Sequence, residues 1–369
     1  MDGSPKKICI ITEKHWAKVM GGSQYQIKCL IDRIVLNREN FEVYYLARYL
    51  KKGFKEDNYE IREISKPNCI SQYGYFFDAN KLLKILKGIK PDVIYQRVFG
   101  AYTGIAAYYA TSNRCNCIAH ISSDYDLIPY SSRFFSKSFL PQMIDRAIGK
   151  YGLKKMKYIV TQSEQQSNFL KLRYRRSDAI MIPNFHPTLD QTLKKEKKPI
   201  KVIWVSNFKS LKRPEIFFRL AVDMEEEKNV KFIMIGRFNP HYEALKDKIQ
   251  KQKNLSYLGE LSIEEVNKVL SESHIFVNTS RAEGFPNTFI QSWMNEVPVV
   301  SLDVNTDGVF DNQKIGIYCN SYENLIKAVK LLVHNSDLRT KMGVDARLHA
   351  IKKHSMKNAD KLIDLFHSS

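Results

Sequence analysis

The sequence contains no apolar run long enough to cross a bilayer. The longest stretch free of Asp, Glu, Lys and Arg runs from Val98 to Asn113. It is 16 residues long and includes Tyr, Thr, Ser, Gly and Asn, whereas a spanning helix needs about 20 predominantly apolar residues. The N-terminal stretch also lacks the apolar h-region of a secretion signal, so the expectation is a cytoplasmic chain without a signal peptide. Cysteine is scarce: Cys9, Cys29, Cys69, Cys115, Cys117 and Cys319 are the six in 369 residues. Cys115 and Cys117 would share one face of a strand, but no second Cys/His pair lies near enough to complete a tetrahedral zinc site. No metal is therefore expected, and the thiols are expected to be reduced and buried.

Apolar residues make up 44% of the chain and charged residues 26%, values of a globular protein. With 20 Phe and 20 Tyr to bury, disorder is excluded. At this length two domains of ordinary size are expected rather than one core. The formal charge is +19, from 58 Lys and Arg against 39 Asp and Glu. It is unevenly placed: residues 1–190 hold 30 basic and 17 acidic residues, net +13, and residues 191–369 hold 28 and 22, net +6. A basic half suits an anionic partner, be it nucleic acid, an acidic lipid surface or a phosphorylated acceptor. A solubility surplus accounts for the charge equally well.

Short β-like runs alternate with amphipathic helical patterns, which predicts an α/β, doubly wound fold. Strands are expected at 7–12, 41–46, 92–95, 117–121, 158–161 and 180–184. A proline-flanked polar segment over 185–198 reads as a linker. A second series then begins at Lys201, with strands at 201–205, 231–235, 256–258, 275–277 and 297–301 and helices between them. Two Rossmann-like domains facing an interdomain cleft are predicted, over residues 1–190 and 191–352. Ligands are expected at the carboxyl ends of the strands.

The sharpest local feature lies over Ser280–Gln291, between an apolar strand and an apolar helix. Gly284 and Pro286 shape a tight turn, and a proline near a helix start loses only an N–H that would be unpaired anyway. Amides of Asn287 and Thr288 at the helix start then make an anion site suited to a diphosphate. Glu283 stands on the loop ahead of it, beside Phe285, placed to accept hydrogen bonds from hydroxyls. Read alone, the segment is an ordinary strand–turn–helix junction with Glu283 as a cap-like surface acid.

The run Ser280-Arg-Ala-Glu283-Gly-Phe-Pro-Asn287, followed by Pro298-Val-Val-Ser301, resembles glycosyltransferase family 4, retaining enzymes of the GT-B fold. Further matches are Met20-Gly21-Gly22, Ile182-Pro183-Asn184, and Tyr257-Leu-Gly259 with Glu264-Glu265-Val266. The resemblance implies that Glu283 binds the donor sugar's hydroxyls and Lys212 grips the diphosphate. Two positions depart from the family pattern. Gln291 stands where a second Glu holds the ribose, losing the charge-assisted strength of a carboxylate, and Asn207 stands where an Arg is used, with Lys209 or Arg213 as stand-ins. Gly21 and Gly22 read either as a simple βα turn or as a close approach of backbone amides to phosphate or sugar. His120 reads either as a buried structural histidine or, by the resemblance, as a contact to the sugar near the reacting carbon. Asp124 and Tyr125 read either as surface loop or as the border of the acceptor site.

Residues 130–158 mix aromatic and basic side chains, a pattern of helices that lie on anionic membranes or pack on a sheet. The C-terminal residues, 353–369, form an amphipathic helix expected to return to the first domain. The resemblance implies a metal-independent, retaining, hexosyltransferase-type enzyme. Its donor substrate would be a nucleotide-diphosphate sugar with no further cofactor, its acceptor a glycan or lipid-linked molecule, and its place the inner face of a membrane. The alternative is a non-catalytic nucleotide-binding or partner subunit. No recognition motif supports nucleic acid.

Overall fold

The computed structural model describes residues 4–37, 39–65, 74–124, 127, 139–188, 193 and 195–369. The chain divides into two compact units, Met1–Phe185 with Met356–Ser369, and His186–Ser355. In the first unit the elements run β1 (Lys6–Lys14), α1 (Gly22–Leu36), β2 (Phe41–Tyr49), β3 (Glu60–Glu63), α2 (Gly74–Ile89), β4 (Val93–Arg97), α3 (Ala101–Ser112) and β5 (Asn116–His120). They continue with α4 (Phe139–Lys155), β6 (Tyr158–Thr161), α5 (Glu164–Tyr174) and β7 (Ile180–Met181). The strands pair in parallel in the order β3-β2-β1-β4-β5-β6-β7. Ile8, Cys9, Ile10 and Ile11 of β1 are all fully buried, which requires a strand covered on both faces.

The second unit holds β8 (Ile200–Val205), α6 (Pro214–Asp223), β9 (Val230–Ile235), α7 (Glu243–Lys251), β10 (Leu255–Tyr257), α8 (Ile263–Ser271) and β11 (Ile275–Asn278). After these come α9 (Asn287–Met294), β12 (Val299–Ser301), α10 (Val309–Gln313), β13 (Gly316–Tyr318), α11 (Tyr322–His334) and α12 (Ser336–His354). Its parallel strands lie in the order β10-β9-β8-β11-β12-β13. In sequence terms this is 3-2-1-4-5-6, the doubly wound order of mononucleotide-binding sheets. Strand alternation sorts the core into two layers. Val202, Trp204, Ile275 and Val277 enter one cluster, and Ile203 and Phe276 enter the other on the opposite face. The predicted α/β class with two Rossmann-like sheets is what the structure contains.

Two first-unit elements escape the periodicity. The edge strand β3, Glu-Ile-Arg-Glu, has no apolar run to announce it. Helix α3 lies in the uncharged stretch and is buried over most of its circumference, so it shows no polar face. Its partner α4 approaches very closely: a Cβ on Gly152 would meet the backbone of Thr103 and Gly104 at 2.7 Å.

The last helix, α13 (Lys357–Ser368), belongs to the first unit. Arg33 on α1 holds Asp360 through two bonds, Nε to Oδ1 at 2.7 Å and Nη2 to Oδ2 at 2.9 Å. Lys6 Nζ donates to the carbonyls of His367 and Ser369 at 2.7 and 2.9 Å, a cation at the negative end of the helix dipole. Phe366 is fully buried against Tyr95 and Phe41. Cys9, Cys29, Cys117 and Cys319 are buried free thiols and Cys115 is half-buried; burial pushes the Cys29 and Cys319 thiols up to about 12. Cys69 lies outside the described residues. Truncating Phe366 to Ala removes a fully enclosed ring and is expected to cost the first unit about 3–5 kcal/mol, read as a lower midpoint in urea. A midpoint unchanged from wild type would mean that α13 contributes nothing to that unit.

Candidate active site

Strands β8 and β11 are neighbours in the second sheet, and their connections leave toward α6 and α9. The loops at their carboxyl ends, residues 206–213 and 279–286, therefore meet at the point where the strand order reverses, the usual ligand position in such sheets. Thr279 ties the two loops together. Its Oγ1 accepts from Trp204 Nε1 at 3.0 Å and donates to the Lys212 carbonyl at 2.6 Å, with the Arg213 carbonyl at 3.1 Å. The Arg281 amide donates to the Leu211 carbonyl at 2.9 Å. The Arg213 guanidinium closes the knot, donating to the carbonyls of Thr279 at 2.6 Å and Ser280 at 3.3 Å and pairing with Asp303.

Held this way, Lys212 and Glu283 face each other. Lys212 Nζ pairs with Glu283 Oε1, which also accepts from Ser280 Oγ at 2.8 Å. Glu283 Oε2 has no hydrogen-bond partner among the described residues. Both side chains are about one-fifth exposed, 21% and 18%, so the pair is reachable from solvent. Pro286 caps α9 without a side-chain bond, and the Phe289 amide donates to its carbonyl at 3.1 Å. Thr306 Oγ1 donates to the Gly284 carbonyl at 2.7 Å. Phe285 packs against His354 with ring centroids 4.6 Å apart and the rings tilted by 36°. The motif read over 283–288 is thus braced at each end.

The remaining second-unit positions are less open. Asn207 Oδ1 accepts from the Arg237 amide at 3.0 Å, so this side chain fastens the β8 loop to the β9 loop. Gly236 permits that contact: its φ is +144°, and a Cβ there would lie 1.7 Å from the Ser206 carbonyl oxygen. Gln291 is buried at 7% exposure. Arg213 is spent largely on backbone carbonyls and Asp303. It braces the loops, which leaves Lys212 as the more available cation.

In the first unit, His120 ends β5 beside Arg97 at the end of β4. Arg97 Nη1 lies 3.1 Å from His120 Nδ1 and Tyr95 Oη lies 2.7 Å from it. Since a guanidinium can only donate, Nδ1 accepts and the ring proton sits on Nε2, which has no partner among the described residues. Burial and the adjacent Arg97 charge hold the His120 pKa well below its usual 6.5. The side chain is therefore a neutral hydrogen-bond donor. Arg97 is itself buried and meets only neutral acceptors, among them Asn184 Oδ1 at 2.8 Å. This gives the Ile182–Asn184 motif a structural role. Asp124 is buried and accepts from the Gln165 and Gln166 amides at 3.0 and 3.1 Å; Tyr125 lies outside the described residues. Gly21 caps α1 in an ordinary extended conformation, and a Cβ there would touch only the end of the Gln24 side chain. The chain alone does not demand glycine at that position. Gly22 begins the same helix.

Arg97, Thr279 and Asp303 carry no motif in the sequence, and Ser280 enters there only as the first residue of the 280–291 run. The one available signal was a pair of polar residues, Gln96-Arg97, closing an otherwise apolar strand.

Two doubly wound sheets, each with its polar clusters at strand carboxyl ends, define the GT-B class of fold. Residues 186–349 match the family model described as Glycosyl transferases group 1, which is nearly the whole second unit. An uncharacterized glycosyltransferase of Haemophilus influenzae is 21% identical over 323 residues, covering 85% of this chain and 87% of its own. WaaG, a glycosyltransferase involved in lipopolysaccharide biosynthesis, superposes with a TM-score of 0.79 at 12% identity, over 98% of this chain and all of its own. Anabaena HepE, solved with UDP and glucose, gives 0.74 at 14% identity, over 99% of this chain and 100% of that one.

Burial keeps several other histidines neutral. It lowers His15, His186, His274 and His349 to about 4. An unfolded histidine takes up its proton near pH 6.5. Below that pH the unfolded chain binds more protons than the native one, so stability should fall as pH drops from about 6.5 toward 5 and be nearly flat above it. Urea midpoints across that range test the sign; an unchanged midpoint at pH 5 would show that these rings are protonated in the native state.

Proposed function

We propose that this chain is a retaining, metal-independent glycosyltransferase that moves a hexosyl group from a nucleotide-diphosphate sugar to a hydroxyl of a glycan or lipid-linked acceptor. The observation that carries the reading is the half-buried Lys212–Glu283–Ser280 cluster at the start of α9, in the unit that matches group 1 glycosyl transferases. In the free protein the cation and the carboxylate neutralise each other. An arriving diphosphate offers Lys212 Nζ a more highly charged partner and releases Glu283 to accept from sugar hydroxyls, its Oε2 being already unengaged.

Lys212 and the first-turn amides of α9, including those of Asn287 and Thr288, would stabilise charge developing on the departing diphosphate. The bond from the anomeric carbon to phosphate oxygen breaks as the acceptor oxygen bonds the same carbon on the same face, and the acceptor's proton passes to the departing phosphate oxygen. His120, a neutral donor whose Nε2–H has no partner among the described residues, suits a sugar hydroxyl. This chemistry needs no cofactor beyond the donor substrate. HepE, whose fold this chain shares, was solved with UDP-glucose, which makes that compound the first donor to test.

Lys212→Ala and Glu283→Ala should each lower transfer by about 100-fold or more, the loss expected for one electrostatic contact to a transition state, and activity should persist in EDTA. Wild-type-like transfer by both variants would overturn the site. The bond that Asn207 accepts from the Arg237 amide favours a second reading, a nucleotide-binding protein without turnover. Calorimetry showing UDP-glucose binding with neither hydrolysis nor transfer would select it.

Membrane association rests on α4. Leu140, Met143 and Tyr151 are 60%, 51% and 42% exposed there, at helical spacing with exposed Lys150 and Lys154. No described helix is long and apolar enough to cross a membrane. Residues 130–138 of the basic and aromatic stretch lie outside the described residues. The protein is expected to float with vesicles containing phosphatidylglycerol, and Leu140→Ser with Met143→Ser to weaken this clearly. Equal flotation with purely zwitterionic vesicles would contradict an electrostatic dock.

A further inference from the structure

On the amino-terminal side of the second sheet, opposite the loops that carry Lys212 and Glu283, charged side chains gather at the strand starts. Lys201 stands at the start of β8, His274 precedes β11 and Glu296 precedes β12. Two bonds fasten the segment ahead of β8 to this end of the sheet. His274 Nδ1 accepts from the Lys201 amide at 3.1 Å, so its Nε2 donates to the Glu196 carbonyl at 2.8 Å. Lys195 Nζ donates to the Glu296 carbonyl at 2.8 Å. That carbonyl is held in place. Glu296 has a φ of +56°, and a Cβ on Gly343 of α12 would lie 2.3 Å from its carbonyl oxygen, so α12 packs directly on this turn.

Lys195 is thereby an amine without a counter-ion. It is half-buried, its one hydrogen bond goes to an uncharged oxygen, and no carboxylate pairs with it among the described residues. The charges around it are committed elsewhere or are positive. The Glu296 carboxylate meets Arg347 at 3.3 Å, Lys201 pairs with Glu272 at 2.7 Å, and Glu196 is exposed. Arg339 on α12 donates only to the Leu332 and Val333 carbonyls. An ammonium taken out of water with no anion at contact is costly, and losing the proton removes that cost. Burial lowers the Lys195 pKa to about 7, with the Glu296 carboxylate opposing and the Arg339 charge assisting.

A desolvated lysine beside another cation is an activated nucleophile. A lysine at the usual 10.4 is neutral in about one molecule in 2,500 at pH 7. The same surroundings select the reagent: the positive charge of Arg339 and Lys201 attracts an anion whose electrophilic carbon can then meet the amine.

We infer that Lys195 is a site of acylation by small acyl phosphates. The nitrogen attacks the carbonyl carbon, and the bond from that carbon to the phosphate oxygen breaks with its electron pair left on the phosphate. The proton given up by the nitrogen ends on the released phosphate. The product amide holds residue 195 uncharged at every pH and keeps one N–H for the Glu296 carbonyl. None of these groups belongs to the Lys212–Glu283 cluster, so the inference stands apart from the transfer reading.

The test treats the full chain with acetyl phosphate, an anion, and in parallel with acetic anhydride, which is uncharged. Peptide mass spectrometry then reads the acetylation of every lysine. At pH 7, Lys195 should react at least tenfold faster than the median exposed lysine with either reagent, and acetyl phosphate should raise that ratio at least threefold over the anhydride. The Lys195 rate should level off by about pH 8 to 9, while those of exposed lysines keep rising. Arg339→Gln should abolish the extra preference for acetyl phosphate. The wild-type profile with the anhydride remains informative if that variant does not fold. A Lys195 rate equal to the exposed median at pH 7, a rate still climbing tenfold per pH unit through pH 9, or an unchanged reagent preference in folded Arg339→Gln would overturn the inference.

Discussion

A parallel sheet covered by helices on both faces can present polar side chains to a ligand only at its ends. That constraint organises both units. The middle residues of strands such as β1 (Ile8–Ile11) and β11 (Ile275–Val277) are apolar on both faces and buried, so the strand interiors are closed to chemistry. The loops at their carboxyl ends are open, and they diverge where the strand order reverses, between β1 and β4 in one sheet and between β8 and β11 in the other. The candidate clusters of each unit lie at or beside such a point. Their location follows from chain connectivity rather than from any single residue.

Within that frame, precision comes from hydrogen bonds that fasten one loop to another. Thr279 joins Trp204 in the sheet to the Lys212 carbonyl, and Arg213 adds a charged clamp on the same loop. Neither side chain needs to touch a ligand for Lys212 and Glu283 to stay opposed. A site loose by one ångström loses much of its effect on a transition state, so these bracing residues matter to function through geometry. Asn207 has the same character: its side chain joins the β8 and β9 loops, which accounts for an amide at a position where the family resemblance implied an arginine.

The first unit handles charge differently. Arg97 is buried among neutral acceptors, with no carboxylate at ion-pair distance among the described residues. Its field depresses the basicity of His120 and sets that ring's tautomer. A lone buried cation is costly unless its donors are met, and three of its contacts come from Tyr95, His120 and Asn184 on different parts of the chain. This network makes the end of β4 polar where the rest of that strand is core.

Much of this architecture was legible in the amino-acid sequence. The alternation of buried strands and amphipathic helices marked two doubly wound sheets. The strand–turn–helix run over 280–291 marked Glu283 and the α9 start, because local turn chemistry is written in adjacent residues. What stayed hidden was non-local. Helix α3 lacks a polar face since it is covered by α4, and β3 is a charged edge with no apolar period. The local motif named Glu283 and the family resemblance named Lys212, but a contact between residues 71 apart in sequence depends on which strands become neighbours. The sequence by itself determined the fold class and the loop carrying Glu283, through short-range periodicity and turn residues. Only the tertiary structure decided that Lys212 pairs with that carboxylate, that Arg213 and Asn207 brace loops, and that Lys195 meets the Glu296 carbonyl, because burial and strand order are properties of the assembled chain.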